Sequence, residues 1–168
     1  MTNGFLNVSR LESGKMHIEK STFDLCTLFK ESWEEYRLLY PNNTITVKLS
    51  DEKVCVCADR DKIAQVFNNL VGNAVKYSPV GSDISVTIEQ YGAHARVIVS
   101  DNGIGIKQED LTKLFERYYR VGNTTISGFG IGLYLSMEII ERHGGKIWAE
   151  SELGRGSKFY FELAVHDS

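Results

Sequence analysis

Hydrophobic positions along the chain recur with two periods. Six stretches place apolar residues at every second position: "NNTITVKLS", "KVCVCAD", "DISVTIEQ", "ARVIVSD", "KIWAES" and "SKFYFELAV". That period turns the apolar side chains to one face of a strand, so six half-buried strands are expected. Three other stretches space them three and four apart. From Ser21, "STFD" offers a capping residue with an acid three positions on, and Leu25, Leu28, Phe29, Trp33, Tyr36, Leu39 and Tyr40 form one stripe up to Pro41. The second helix is entered at Asp59, contains "VFNNLVGNAVKYSP" and stops at Ser78-Pro79. The third runs from about Ile131 to His143 and is ended by Gly144-Gly145. Phe5, Val8 and Leu11, followed by Gly14, read as the end of a longer helix, too short to be stable alone. No repeat or low-complexity linker divides the rest. The predicted class is α+β: a two-layer sandwich, a mixed but mainly antiparallel sheet covered on one face by helices.

Composition narrows the function. The 168 residues are 42% hydrophobic and 24% charged, the balance of one globular domain that folds without staples. A net charge of -3 offers no basic field for nucleic acid or anionic lipid. Of three cysteines, Cys55 and Cys57 share a strand face and read as reduced core thiols, since a structural zinc site wants four ligands at recognisable spacing. With no apolar stretch of membrane-span length and no signal-peptide pattern, a cytoplasmic protein without direct membrane contact is expected.

The second helix carries three asparagines and a glycine that cost it stability. Asn69, Asn73, Lys76 and Tyr77 lie on one face, away from Val66, Leu70 and Val75. Amide oxygens, an ammonium and a phenol suit a magnesium polyphosphate, although a solvated helix face would look the same. Gly72 reads as a residue for close packing on the sheet. In "SDNGIGI", Asp101 ends a strand and Gly103 and Gly105 let the backbone turn beside a ligand; the carboxylate suits an exocyclic amine such as that of adenine, or simply an Asx-turn. "SGFGIGLYLSMEII" sets Gly128, Gly130 and Gly132 at a helix start, where free amides and the dipole favour phosphate. "LGRGSKFYF" adds Gly154 and Gly156, enough for a hairpin turn.

Together these segments resemble the catalytic, ATP-binding domain of sensor histidine kinases, in the superfamily of gyrase, Hsp90 and MutL. "NNLVGNAVKYSP" looks like the asparagine box, "DNGIGI" the first glycine box, "LFERYYR" the phenylalanine box, "GFGIGLYLS" the second glycine box and "GRGSKF" the third, all in the family's order. The resemblance implies the Bergerat-type ATP-binding fold, with ATP and Mg2+ as cofactors. It implies that Asn73 binds magnesium beside Asn69, that Lys76 meets phosphate, and that Tyr77 borders adenine. Asp101 would take the adenine amine, with Gly103, Gly105 and Ile106 shaping that end of the pocket. Phe115 would anchor a loop, Arg120 reach the phosphates, Val121–Phe129 form a lid, and Gly128, Gly130, Gly132 and Leu133 line the phosphate side.

The resemblance also implies phosphoryl transfer to a histidine on a separate helical hairpin, with a response regulator as an indirect partner. Water-splitting relatives place a glutamate one turn before the magnesium asparagine; here that position is Asn69, which cannot act as a general base. His17, His94, His143 and His166 do not match the family's phosphoacceptor context, so no catalytic histidine is expected in this chain. Residues 1–20 resemble the end of the hairpin and a linker, residues 21–168 the catalytic domain, expected as a monomer unable to phosphorylate itself. Two alternatives stay open: a regulatory nucleotide-binding module without catalysis, and a serine kinase of the same superfamily.

Overall fold

A computed structural model describes residues 17–111, 113–116 and 131–166, with backbone alone at 131 and 132. The Phe5 to Leu11 pattern lies outside them. Among the described residues the order is β1 (Ser21–Asp24), α1 (Leu25–Leu39), β2 (Thr44–Leu49), β3 (Cys55–Ala58), α2 (Arg60–Lys76), β4 (Asp83–Tyr91), β5 (His94–Asp101), α3 (Gln108–Leu111), α4 (Ile131–Arg142), β6 (Lys146–Glu152) and β7 (Gly156–Ala164). All six expected strands and all three expected helices are present. Among the described residues, no helix is long and apolar enough to cross a membrane.

Five strands form the main sheet in the order β2-β4-β5-β7-β6, with β2 parallel to β4 and the other pairs antiparallel. The register lines up the apolar positions of neighbouring strands. One row crosses Leu49, Ile88, Val97, Phe161 and Ile147; the next crosses Val47, Val86, Val99, Phe159 and Ala149. Against these rows α1 sets Leu25, Leu28 and Phe29, α2 sets Ile63, Val66, Phe67, Leu70 and Val71, and α4 sets Leu135, Ile139 and Ile140, all buried. At the centre Phe67 meets Phe29 edge-on at 5.1 Å and Phe161 at 5.5 Å, joining two helices to the sheet. Phe67→Ala should therefore cost roughly 3 to 5 kcal/mol, read as a fall in the urea midpoint at unchanged slope. A loss below about 1 kcal/mol would mean that this contact is not central.

Three expectations need correction. The first helix begins at Leu25 instead of Ser21, because Ser21–Asp24 pairs antiparallel with β3. Asp24, expected as the second member of a capping pair, is itself the cap: Oδ1 accepts the N–H groups of Cys26 at 3.1 Å and Val54 at 3.0 Å, and Oδ2 accepts the Thr27 hydroxyl at 3.0 Å. Cys55 and Cys57 share a face, but the outer one: Val56 and Ala58 are buried, Cys55 is half-buried and Cys57 exposed. β3 lies outside the main sheet, meeting it through a bridge between Val56 and Val165, and its inward face carries the branched aliphatic. Cys26 is the buried cysteine; burial and the neighbouring Asp24 push its thiol up. Finally, a Cβ on Gly72 would meet the Tyr40 hydroxyl at 3.5 Å, an ordinary contact toward the loop after α1, so packing on the sheet does not demand this glycine.

Candidate functional site

The apolar rows of the sheet end in a polar one. Register carries the same core-facing line from Ile84 through Asp101 and Ser157 to Ser151. Asp101 thus emerges at the edge of the core, 6% exposed. Its Oδ1 accepts the Gly103 N–H at 2.9 Å and the Ser157 N–H at 3.2 Å. The Asx-turn reading of "DNG" is met by Oδ1, while Oδ2 has no hydrogen-bond partner among the described residues. Burial raises the Asp101 carboxyl above its ordinary range, and the two N–H bonds oppose that shift.

The loop after β5 is held by backbone. Ile104 donates its N–H to the Tyr77 carbonyl at 3.3 Å, and its own carbonyl accepts the Gly154 N–H at 2.7 Å. Ile106, buried, donates to Ser151 Oγ at 2.7 Å, and that hydroxyl in turn donates to the Gly156 carbonyl at 2.9 Å. The end of α2 and the hairpin between β6 and β7 therefore close on the Asp101 loop from two sides.

Along α2, Asn69, Asn73 and Tyr77 are half-buried and Lys76 is exposed, on the face that the spacing indicated. The third asparagine, Asn68, is used otherwise: its Oδ1 accepts the hydroxyl of buried Tyr36 at 2.6 Å. Asn69 Nδ2 donates to Ser136 Oγ on α4 at 3.1 Å. Tyr77 ends α2 with its N–H on the Asn73 carbonyl at 3.1 Å. Phe115 and Leu133 pack half-buried against the core. Gly132 lies in the first turn of α4; Arg120, Gly128, Gly130 and the 121–129 segment lie outside the described residues. Sequence reading missed Ser151, Ser157 and Ser136. Ser157 could have been found, since it follows Gly156 in the strand that must neighbour Asp101; the other two depend on pairings that no local pattern reveals.

Comparison with known proteins agrees with this layout. Residues 58–167 match the family described as histidine kinase-, DNA gyrase B-, and HSP90-like ATPase. The chain is 34% identical to drug sensory protein A of Synechocystis sp., in an alignment covering 100% of this chain and 27% of that protein. It is 30% identical to sensor histidine kinase WalK of Bacillus subtilis, covering 97% of this chain and 28% of that one. It therefore spans about a quarter of the length of these curated relatives. The solved, nucleotide-free catalytic domain of histidine kinase ThkA matches with a TM-score of 0.78 and 33% identity, covering 88% of this chain and 96% of that one. ThkA in complex with response regulator protein TrrA matches at 0.80 with 29% identity, covering 98% and 48%. A family match over more than half of the residues, together with a near-complete match to a solved catalytic domain, leads to one assignment: the chain belongs to the histidine kinase-, DNA gyrase B- and HSP90-like ATPase family, among the catalytic domains of histidine kinases.

Proposed function

We propose that this chain binds ATP with magnesium between the end of α2, the loop after β5 and the start of α4, and presents the γ-phosphate to a histidine on a separate helical hairpin. Asp101 carries the reading. A carboxylate at the edge of the core, with one oxygen fixed by two N–H groups and the other not engaged by any described residue, is placed to accept a hydrogen bond from a bound ligand. The exocyclic amine of adenine supplies that hydrogen bond.

The phosphates then extend toward Lys76 and the asparagine face of α2. Magnesium fits the residues present. A hard ion held mainly by phosphate oxygens and water needs one or two protein oxygens, and the Asn73 amide can supply one. Among the described residues no cluster of three or more His, Cys, Asp or Glu forms a protein-only cage, which agrees with an ion that arrives with the nucleotide. When bound, the ion would neutralise phosphate charge in the transfer. Asn69 stands where a water-activating carboxylate stands in hydrolytic relatives, and its Nδ2 is held by Ser136. An amide takes no proton, which favours transfer to an incoming nucleophile over hydrolysis.

None of the chain's four histidines matches the family's phosphoacceptor context. His143 has both ring nitrogens engaged and His17 pairs with Glu19. We place the acceptor on the hairpin of a longer parent kinase in the cytoplasm, with a response regulator receiving the phosphoryl group next, the partner class seen with ThkA. Relatives named histidine kinase do not favour the serine-kinase or docking-module alternatives.

Calorimetric titration with a non-hydrolysable ATP analogue tests the reading. Saturable, magnesium-dependent binding is expected, and Asn73→Ala should weaken it about tenfold with magnesium and little in chelator. No binding at millimolar analogue would overturn the proposal.

A further inference from the structure

The end of α2 remote from Asn73 and Lys76 carries a second polar assembly. Asp59, 8% exposed, bonds to three separate parts of the chain. Its Oδ1 accepts the Lys62 N–H at 3.2 Å and caps α2. Its Oδ2 accepts the Glu19 N–H at 3.0 Å, from the arm that leads into β1. Its own N–H donates to His143 Nε2 at 3.0 Å, just past the end of α4. His143 Nδ1 lies 2.6 Å from the Ile139 carbonyl, and the tautomer that meets both contacts carries its proton on Nδ1 and accepts at Nε2.

A cap alone uses one carboxylate oxygen. Here the second oxygen and the backbone N–H of the same residue join the arm and α4 to the start of α2. Further along, Asn69 Nδ2 donates to fully buried Ser136 on α4. Since the start of α2 meets the end of α4 and the middles meet each other, the two helices run antiparallel, tied at two places. Close-packed helices shift as bodies, so a displacement at Asp59 changes the register of α4 on α2 and is felt at Asn69.

We propose that Asp59 and His143 are positioning residues for the nucleotide site, which take the placement of residues 17–20 and pass it to α4 and thence to the asparagine face of α2. The link to the site rests on the reading of Asn69 and Asn73 as phosphate and magnesium contacts.

Glu19→Pro removes the one N–H that the arm gives to Asp59, whereas Glu19→Ala keeps it and loses only an exposed pairing with His17. Amide hydrogen exchange over residues 131–142, measured without nucleotide, should be roughly threefold faster in Glu19→Pro than in Glu19→Ala. Affinity for a magnesium-bound non-hydrolysable ATP analogue should fall by a similar factor. Both differences should vanish in a His143→Ala background, where the contact to α4 is already gone. Equal exchange in two folded proteins, or a difference that persists undiminished without His143, would overturn the proposal. If Glu19→Pro does not fold, His143→Ala is read against His143→Gln, whose amide oxygen keeps an acceptor: rescue of α4 protection by glutamine supports the junction and equal exchange overturns it. The exchange readout needs no nucleotide, so a chain that binds no analogue refutes the proposed function, while the rates over residues 131–142 still decide whether Asp59 and His143 tie the arm to α4.

Discussion

Asp101→Asn should weaken binding of an ATP analogue by about a hundredfold while leaving the fold intact. The asparagine can keep its oxygen where Oδ1 accepts the Gly103 and Ser157 N–H groups. Its NH2 then occupies the place of Oδ2 and turns a donor toward the adenine amine. The loss of a charged acceptor combined with two opposed donors amounts to roughly 2 to 4 kcal/mol. Selectivity separates this from general damage. A guanine nucleotide, which presents a carbonyl where adenine has its amine, should lose far less or gain. Equal losses for both bases, or unchanged adenine affinity, would remove Asp101 from the base site.

Acidity offers a second view of the same carboxylate. Burial raises its pKa, so the folded protein holds a proton at Asp101 more readily than the unfolded chain does. For folding, the sign is stabilisation at low pH that fades as pH rises through the raised value. For binding the sign reverses: with Oδ1 occupied by two N–H groups, the proton goes to Oδ2, the acceptor that adenine needs. Analogue affinity should drop on acidification, beginning above the ordinary aspartate range, and Asp101→Asn should flatten that dependence. Stability and affinity thus respond in opposite directions to the protonation of one buried group.

Period alone made most of the fold legible. Strands such as Val97–Val99 and helices such as Val66–Leu70 announce their buried faces within a few residues. β1 did not, because its residues are exposed or half-buried and lack alternation, so a capping pattern claimed Ser21 instead. The parallel pairing of β2 with β4 was equally hidden, since strand order is set by contacts distant in sequence. At the site, Asn69, Asn73 and Asp101 stood out because they break local rules: amides in a helix, a carboxylate ending an apolar strand. Ser136, Ser157 and the Asp59 assembly break none. Serine in a helix or an aspartate cap is ordinary, and only the packed chain shows what each one touches.

The glycines of the loop after β5 carry a constraint that sequence reading did not anticipate. They were expected to let the backbone turn beside a ligand, whereas the close approaches are to the chain itself. A Cβ on Gly103 would lie 2.1 Å from the Tyr77 carbonyl oxygen, one on Gly105 2.2 Å from that of Glu152, and one on Gly156 2.1 Å from that of Asp101. Three backbone segments converge there with no room for a methyl group. Gly103→Ala must therefore push the loop off the end of α2, breaking the Ile104 to Tyr77 bond and disturbing the Gly103 N–H on Asp101. We expect a loss of about 2 to 4 kcal/mol, a fall in Tm of roughly 5 to 15 °C, and analogue affinity reduced more than tenfold because, in the proposed binding mode, adenine and phosphate contacts come from the two parts forced apart. Gly154→Ala in the neighbouring hairpin is the matched control. Its Cβ meets nothing within 4 Å and the φ of 86° is the sole penalty, about 1 kcal/mol with affinity unchanged. Gly103 has no positive φ to lose, so an effect at Gly103 no larger than that at Gly154 would show that the loop yields and that the convergence of α2, the Asp101 loop and the hairpin is not what Gly103 serves.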